Sequence, residues 1–212
     1  MRGVPARGLP SLEGPMKIRP LDTTRRGPAS SRRWPSSSPR IPDHTLTRYP
    51  SAVTPPLPHT DAELARLLRM LRQAGADTIA IGHGRAPTSV AAAGALQVAW
   101  TATGGTVLSI VDWPAVAASW LRPARRLTAG HPDAWVIADT VAGSAQVVRR
   151  LAEQPNWAAA RTVGFAALAS PDLVALATPT SLAGMTGAAA TGETWRIGPD
   201  HIVVTDKPDR SR

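Results

Sequence analysis

The chain has 212 residues, 43% of them hydrophobic, with no cysteine and a formal net charge of +9. The lack of cysteine excludes disulfides and thiolate chemistry. The later apolar runs are interrupted by polar residues well short of the roughly eighteen that a membrane helix requires. The charge is uneven: residues 1–60 carry ten Lys or Arg against three Asp or Glu, together with twelve of the 21 prolines. The basic character therefore belongs to the N-terminal stretch, and a nucleic-acid-binding domain is not indicated.

That stretch, typified by RRGPASSRRWPSSSPRIPDH, has no apolar periodicity and buries too little surface to offset its ordering entropy, so disorder is expected over residues 1–58. Trp34 and Tyr49 are its only aromatic residues. A basic arm of this kind is able to touch RNA or anionic lipid; the simpler reading is a solvated tail. The first thirty residues lack the apolar core of a secretory signal, so the sequence as written reads as cytoplasmic.

From residue 60 the pattern becomes regular. HTDAELARLLRMLRQAGAD offers Thr60 or Asp61 as an N-cap, Leu64, Leu67, Leu68 and Leu71 at helical spacing, and Gly75 as a stop. TIAIG then reads as a short buried strand, APTSVAAAGALQVAWTATGG as a helix ending at Gly104-Gly105, and TVLSIV as a second strand. PAVAASWLRPARRLTAG reads as a helix that Pro123 must kink or divide. DAWVIAD is a third strand, GSAQVVRRLAEQP a third crossover helix, and RTVGFAAL a fourth strand. ETWRIGPDHIVV places two short β-like runs around Gly198-Pro199-Asp200, a hairpin signal.

Strands separated by helices of this length require crossover connections. The expected fold is therefore α/β: a doubly wound, mostly parallel sheet of about four to five strands, with a C-terminal β-hairpin. It spans residues 60–205 and is followed by a short tail at 206–212.

In such sheets ligands bind beyond the carboxyl ends of the strands. There the sequence places His83, Gly84 and Arg85 after the first strand, Asp112 and Trp113 after the second, and Asp139 and Thr140 after the third. Gly82-His83-Gly84-Arg85 has the glycines and cation of a phosphate cradle but matches neither G-x-G-x-x-G nor G-x-x-x-x-G-K-[ST]. His83 is a candidate metal ligand or general base, and GHG after an apolar strand resembles the sirohydrochlorin and cobalt chelatases. The other candidate ligands, His131 and His201, are expected at other parts of the sheet and so should not converge with it. Ser89, Ser109 and Ser144 stand outside any G-x-S-x-G elbow. Asp112 and Asp139 read either as site carboxylates or as caps of the following helices. Trp100 and Trp120 read as packing residues. Trp113, beside Asp112, is a candidate cleft residue suited to an ammonium group.

The order of segments from TIAIGHGR through Thr103-Gly104-Gly105, Pro132-Asp133-Ala134 and Gln146 to Leu151 resembles the second lobe of type I periplasmic binding proteins. The nearest branch is the branched-chain amino-acid-type substrate-binding proteins of ABC transporters. The later RTVGFAALASPDLVALA and TGETWRIGPDHIVV resemble the strand, loop and late hairpin of that lobe, so the likeness runs over roughly residues 61–205. It implies a lobe that binds a small, amino-acid-like ligand without catalysis or cofactor, and membrane subunits of a transporter as partners. By position His83 falls where the family often places a cleft tyrosine, and Asp139 to Gly143 fall in a loop of polar ligand contacts. The family is extracytoplasmic, and its first lobe has no counterpart in this sequence, which reads as a truncated form. With half of the cleft missing, weak ligand binding or none is expected. The alternative is a small α/β enzyme of the chelatase type using His83.

Overall fold

The computed structural model describes residues 40–177, 182–198 and 201–205. The expected tail at 1–39, the terminal residues 206–212 and the hairpin turn at Pro199-Asp200 lie outside the described residues.

A seven-stranded sheet in the order β2-β1-β3-β4-β5-β6-β7 organises the domain. β1 (Thr78–Gly84), β2 (Thr106–Trp113), β3 (Ala134–Ala138), β4 (Thr162–Gly164) and β5 (Thr186–Ala188) run parallel. β6 (Thr194–Ile197) and β7 (Ile202–Thr205) continue the sheet antiparallel. Five parallel strands followed by an antiparallel hairpin agree with the expected four to five strands and C-terminal hairpin; Thr186-Gly187-Ala188 is the parallel strand that the sequence did not show.

Alternate strand residues feed two apolar layers. Ile79, Ile81, Val136 and Ala138 pack with α2 (Asp61–Gln73) and α3 (Pro87–Ala102) on one face. Ala80, Trp113, Trp135 and Ile137 pack with α4 (Leu121–Thr128), α5 (Val141–Leu151) and α6 (Pro171–Leu176) on the other. β3 is buried at all five positions, as befits a central parallel strand covered on both sides.

α2 begins at a complete capping box. Thr60 Oγ1 accepts from the Glu63 amide at 3.1 Å, and a Glu63 carboxylate oxygen accepts from the Thr60 amide at 3.3 Å. The helix ends at Gly75, whose φ of +69° suits the left-handed position after a helix. The expected long helix around Pro123 is corrected. Only Leu121–Thr128 is helical, Pro123 lies in its first turn where no amide is required, and Trp120 is the N-cap.

The segment before α2 differs from the reading that placed residues up to 58 in a tail. From Arg40 onward it folds back on the domain as α1 (Asp43–Leu46) and a short 3-10 turn at Pro50–Val53. Ile41 and Ala52 are buried in the α5 and α6 layer. The Ile41 amide donates to Gln146 Oε1 at 3.1 Å, and Ser51 Oγ donates to Asp172 Oδ2 at 2.6 Å. These few apolar side chains suffice because they enter an existing core rather than building one.

Candidate functional site

After β1 the chain goes to β2 on one side and, later, to β3 on the other, so the order reverses between β1 and β3. The carboxyl ends of these two strands form the switch point at which open α/β sheets bind ligands. His83, Gly84 and Arg85 end β1, and Asp139 and Thr140 follow β3.

The first relationship there is structural. Trp113 Nε1 donates to Asp139 Oδ2 at 2.6 Å, reaching from the end of β2 across β1. Glycines make the passage possible. A Cβ at Gly82 would stand 2.7 Å from Trp113 Cζ3, and one at Gly84 would stand 1.8 Å from Asp139 Oδ1. The expected cleft role of Trp113 is therefore corrected: its ring is fully buried, because the missing side chain at Gly82 opens the space that it fills.

Asp139 is also buried, and its other oxygen accepts from the Thr140 amide at 2.7 Å. Burial is the main influence on the carboxyl. It raises the pKa from 3.8 to about 6 against the opposing hydrogen bonds from Thr140 and Trp113. Thr140 is the N-cap of α5, where its Oγ1 accepts from the Gly143 amide at 3.0 Å. Capping of the following helix thus falls to Thr140, one residue beyond Asp139.

The remaining expected residues form an outer rim. Arg85 Nε donates to Asp112 Oδ2 at 2.6 Å, joining the ends of β1 and β2. This hydrogen bond is the largest influence holding the Asp112 carboxyl below its ordinary range. Both side chains are largely exposed, so the pair adds little to stability. His83 is half-buried, with Nδ1 2.8 Å from the Gly84 carbonyl. A carbonyl only accepts, so Nδ1 donates and Nε2 is left for an external partner. Among the described residues, no three His, Cys, Asp or Glu side chains stand close enough to hold a metal ion.

Beside these residues lies a cavity of about 210 Å³, roofed by Pro56 to His59. Its walls include Glu63 of α2, Thr88, Ser89 and Ala92 of α3, Ala138 and Asp139, and the turn from Phe165 to Ala167. Of the six site residues expected from sequence, Asp139 alone lines it. Three of the lining residues, His59, Thr88 and Ser89, each carry a buried polar atom, Nδ1, Oγ1 and Oγ, without a hydrogen-bond partner. Ser89 is 1% exposed. The first turn of α3 carries no acidic residue, and its N-cap Ala86 provides no side-chain acceptor.

Glu63, in contrast, is fully engaged: one oxygen accepts from Thr60 and the other from the Ala166 amide. Burial is the main cause that pushes its carboxyl up, and these hydrogen bonds oppose it. Sequence reasoning missed His59, Glu63 and Thr88, and weighed Ser89 only as a nucleophile. Thr88 and Ser89 read as an ordinary helix start after Pro87, and His59 lay at the edge of the supposed tail. The one sequence clue was the lack of a capping side chain before Pro87.

No family model matches the sequence, and no curated protein matches it. Solved structures do resemble the fold. A substrate-binding periplasmic protein from Ralstonia solanacearum matches with a TM-score of 0.55 at 18% identity, over 64% of this chain and 38% of that one. An extracellular ligand-binding receptor from Rhodopseudomonas palustris gives 0.55 at 17% identity, over 63% and 36%. A candidate branched-chain amino acid ABC transporter from Rhodospirillum rubrum gives 0.52 at 18% identity, over 60% and 36%. The chain spans less than two fifths of the length of these proteins. Sheet order, switch point and these likenesses show the fold: an α/β lobe folded like those of periplasmic binding proteins.

Proposed function

We propose that this chain is a ligand-binding lobe rather than an enzyme, and that the cavity beneath Pro56 to His59 holds part of its ligand. The observation that carries this reading is that three residues lining one cavity near the carboxyl ends of the strands, His59, Thr88 and Ser89, each hold a buried polar atom without a partner. Buried polar groups without partners are costly, and a ligand that hydrogen-bonds them recovers that cost. The remaining wall is mainly apolar, formed by Leu57, Ala92, Ala138, Phe165 and Ala167. At about 210 Å³ it is smaller than the roughly 300 Å³ at which drug-sized pockets begin, so the ligand is small.

An amino acid with an apolar side chain has the matching chemistry, an apolar body and a polar head. The Rhodospirillum rubrum neighbour, described as a branched-chain amino acid transporter, supports that class. His83 and the Arg85–Asp112 pair form the outer rim that a closing second lobe would meet. We read the chain as part of a two-lobed binding protein whose partners are membrane subunits of a transporter and whose compartment is extracytoplasmic. No helix among the described residues is long and apolar enough to cross a membrane.

A thermal-shift screen across amino acids, sugars and polyamines tests the reading. A bound ligand raises stability by RT ln(1 + [L]/Kd), so an apolar amino acid is expected to raise the melting temperature in a saturable way that Ser89→Ala diminishes. A flat response across the whole screen contradicts the proposal.

A further inference from the structure

The opposite edge of the sheet carries a second concavity, and its chemistry differs. A groove of about 420 Å³ lies where β3, β4 and β5 begin, against the side of α2. Three arginines line it: Arg66 of α2, Arg161 just before β4 and Arg196 of β6.

Two of these guanidinium groups are held by neutral partners. Arg66 Nε donates to Thr194 Oγ1 at 2.8 Å. Arg161 lies 4.9 Å above the Trp135 ring, and its Nη2 donates to the Asn156 carbonyl at 3.0 Å. Arg196 is exposed on β6, opposite Thr186 of β5, which also lines the groove. None of the ion pairs among the described residues involves these three arginines.

The groove has one acid, Asp133. Its Oδ2 accepts from the amides of Asp77 and Thr78 and from Thr78 Oγ1, at 3.1, 2.8 and 2.7 Å. This carboxylate is thus committed to tying the starts of β1 and β3 together. Its charge also acts on Arg161, yet with three arginines against this one acid the groove retains an excess of positive charge.

A guanidinium carries five N–H donors in a planar fork, and a single neutral contact leaves most of them unspent. Like charges that line one groove repel one another, and a multivalent anion relieves that repulsion while accepting the remaining donors. We propose that this groove is a binding site for a multiply charged oxyanion of the phosphate or pyrophosphate class, separate from the cavity at the other edge of the sheet. The inference stands independently of the ligand-lobe reading.

Calorimetric titration of the full chain with sodium pyrophosphate, at ionic strength held constant with chloride, tests it; inorganic phosphate and sulfate form parallel arms. Saturable binding of pyrophosphate is expected, stronger than that of sulfate. Arg196→Gln, which removes an exposed charge, is expected to weaken it about tenfold or more, and Arg66→Gln with Arg196→Gln further still. Arg196→Gln is expected to leave the melting temperature without pyrophosphate unchanged, so it carries the test even if the double variant folds poorly. An absence of saturable binding, a response equal to that of chloride, or undiminished affinity in Arg196→Gln overturns the proposal. That last result would assign the binding to the basic residues 1–60 instead.

Discussion

Trp113 and Asp139, from the ends of strands on either side of β1, are joined by a buried 2.6 Å hydrogen bond that runs past Gly84. The glycines of Gly82-His83-Gly84 provide the volume for an indole ring and a carboxylate. Their spacing of two puts both on the same face of β1, while His83 falls on the other. This pairing ties the carboxyl ends of the strands on either side of β1 together, and several consequences can be measured.

Any side chain at Gly84 must displace the Asp139 carboxylate, since its Cβ would lie 1.8 Å from Oδ1. Gly84→Ala is expected to cost about 1–3 kcal/mol or more in urea unfolding, as overpacking does. Gly94→Ala, where no atom lies within 4 Å of the added Cβ, is the control and should be neutral or slightly stabilising.

Trp113→Phe keeps most of the ring but leaves Asp139 Oδ2 without its donor. The expected loss is about 1–3 kcal/mol, the cost of a buried acceptor left unpaired. Because the Trp113 hydrogen bond opposes the upward shift at Asp139, the variant should also titrate at higher pH, which carboxyl-carbon NMR would detect.

The pKa of Asp139 is raised on folding, so the folded state holds this proton more tightly than the unfolded chain. The resulting stability is fully present below the unfolded pKa of 3.8 and is lost as pH rises to about 6. Its upper bound is on the order of 3 kcal/mol, from about two pKa units. Asp139→Asn cannot ionise. Although it is less stable overall because its single amide oxygen can accept from Trp113 or from Thr140 but not both, its difference from wild type should narrow as pH climbs from 4 to 6. A difference that stays constant across this range refutes the raised pKa.

Ser89→Ala removes a buried hydroxyl that has no partner in the ligand-free chain. Stability without ligand is expected to stay the same or rise slightly, whereas ligand affinity falls by about 1 kcal/mol or more. Loss of both together would assign Ser89 a structural role instead.

The sequence made β1, β2 and β3 legible because their β-branched runs end at Gly, Asp or Trp, and it made α2 legible through Thr60 and its leucine spacing. β5 was not legible: Thr186-Gly187-Ala188 has no apolar run, and pairing with β4 and β6 makes it a strand. Likewise Ile41 and Ala52 are two small apolar signals in a proline-rich stretch, and only the groove they fill gives them meaning. At the site, sequence order placed six residues at the carboxyl ends of the strands, of which Asp139 lines the cavity. It could not reveal that Trp113 is buried, since that depends on an absent side chain at Gly82 on the neighbouring strand. Nor could it show that Thr88 and Ser89 lack partners, a property of the surroundings rather than of the residues.

The most direct test of the ligand cavity is a titration of the isotope-labelled protein with L-leucine, followed by amide NMR shifts. The account predicts saturable shifts concentrated at His59, Thr88, Ser89, Ala138 and Ala166, and their loss in Ser89→Ala. Shifts that never saturate, or that map away from this cavity, would contradict it.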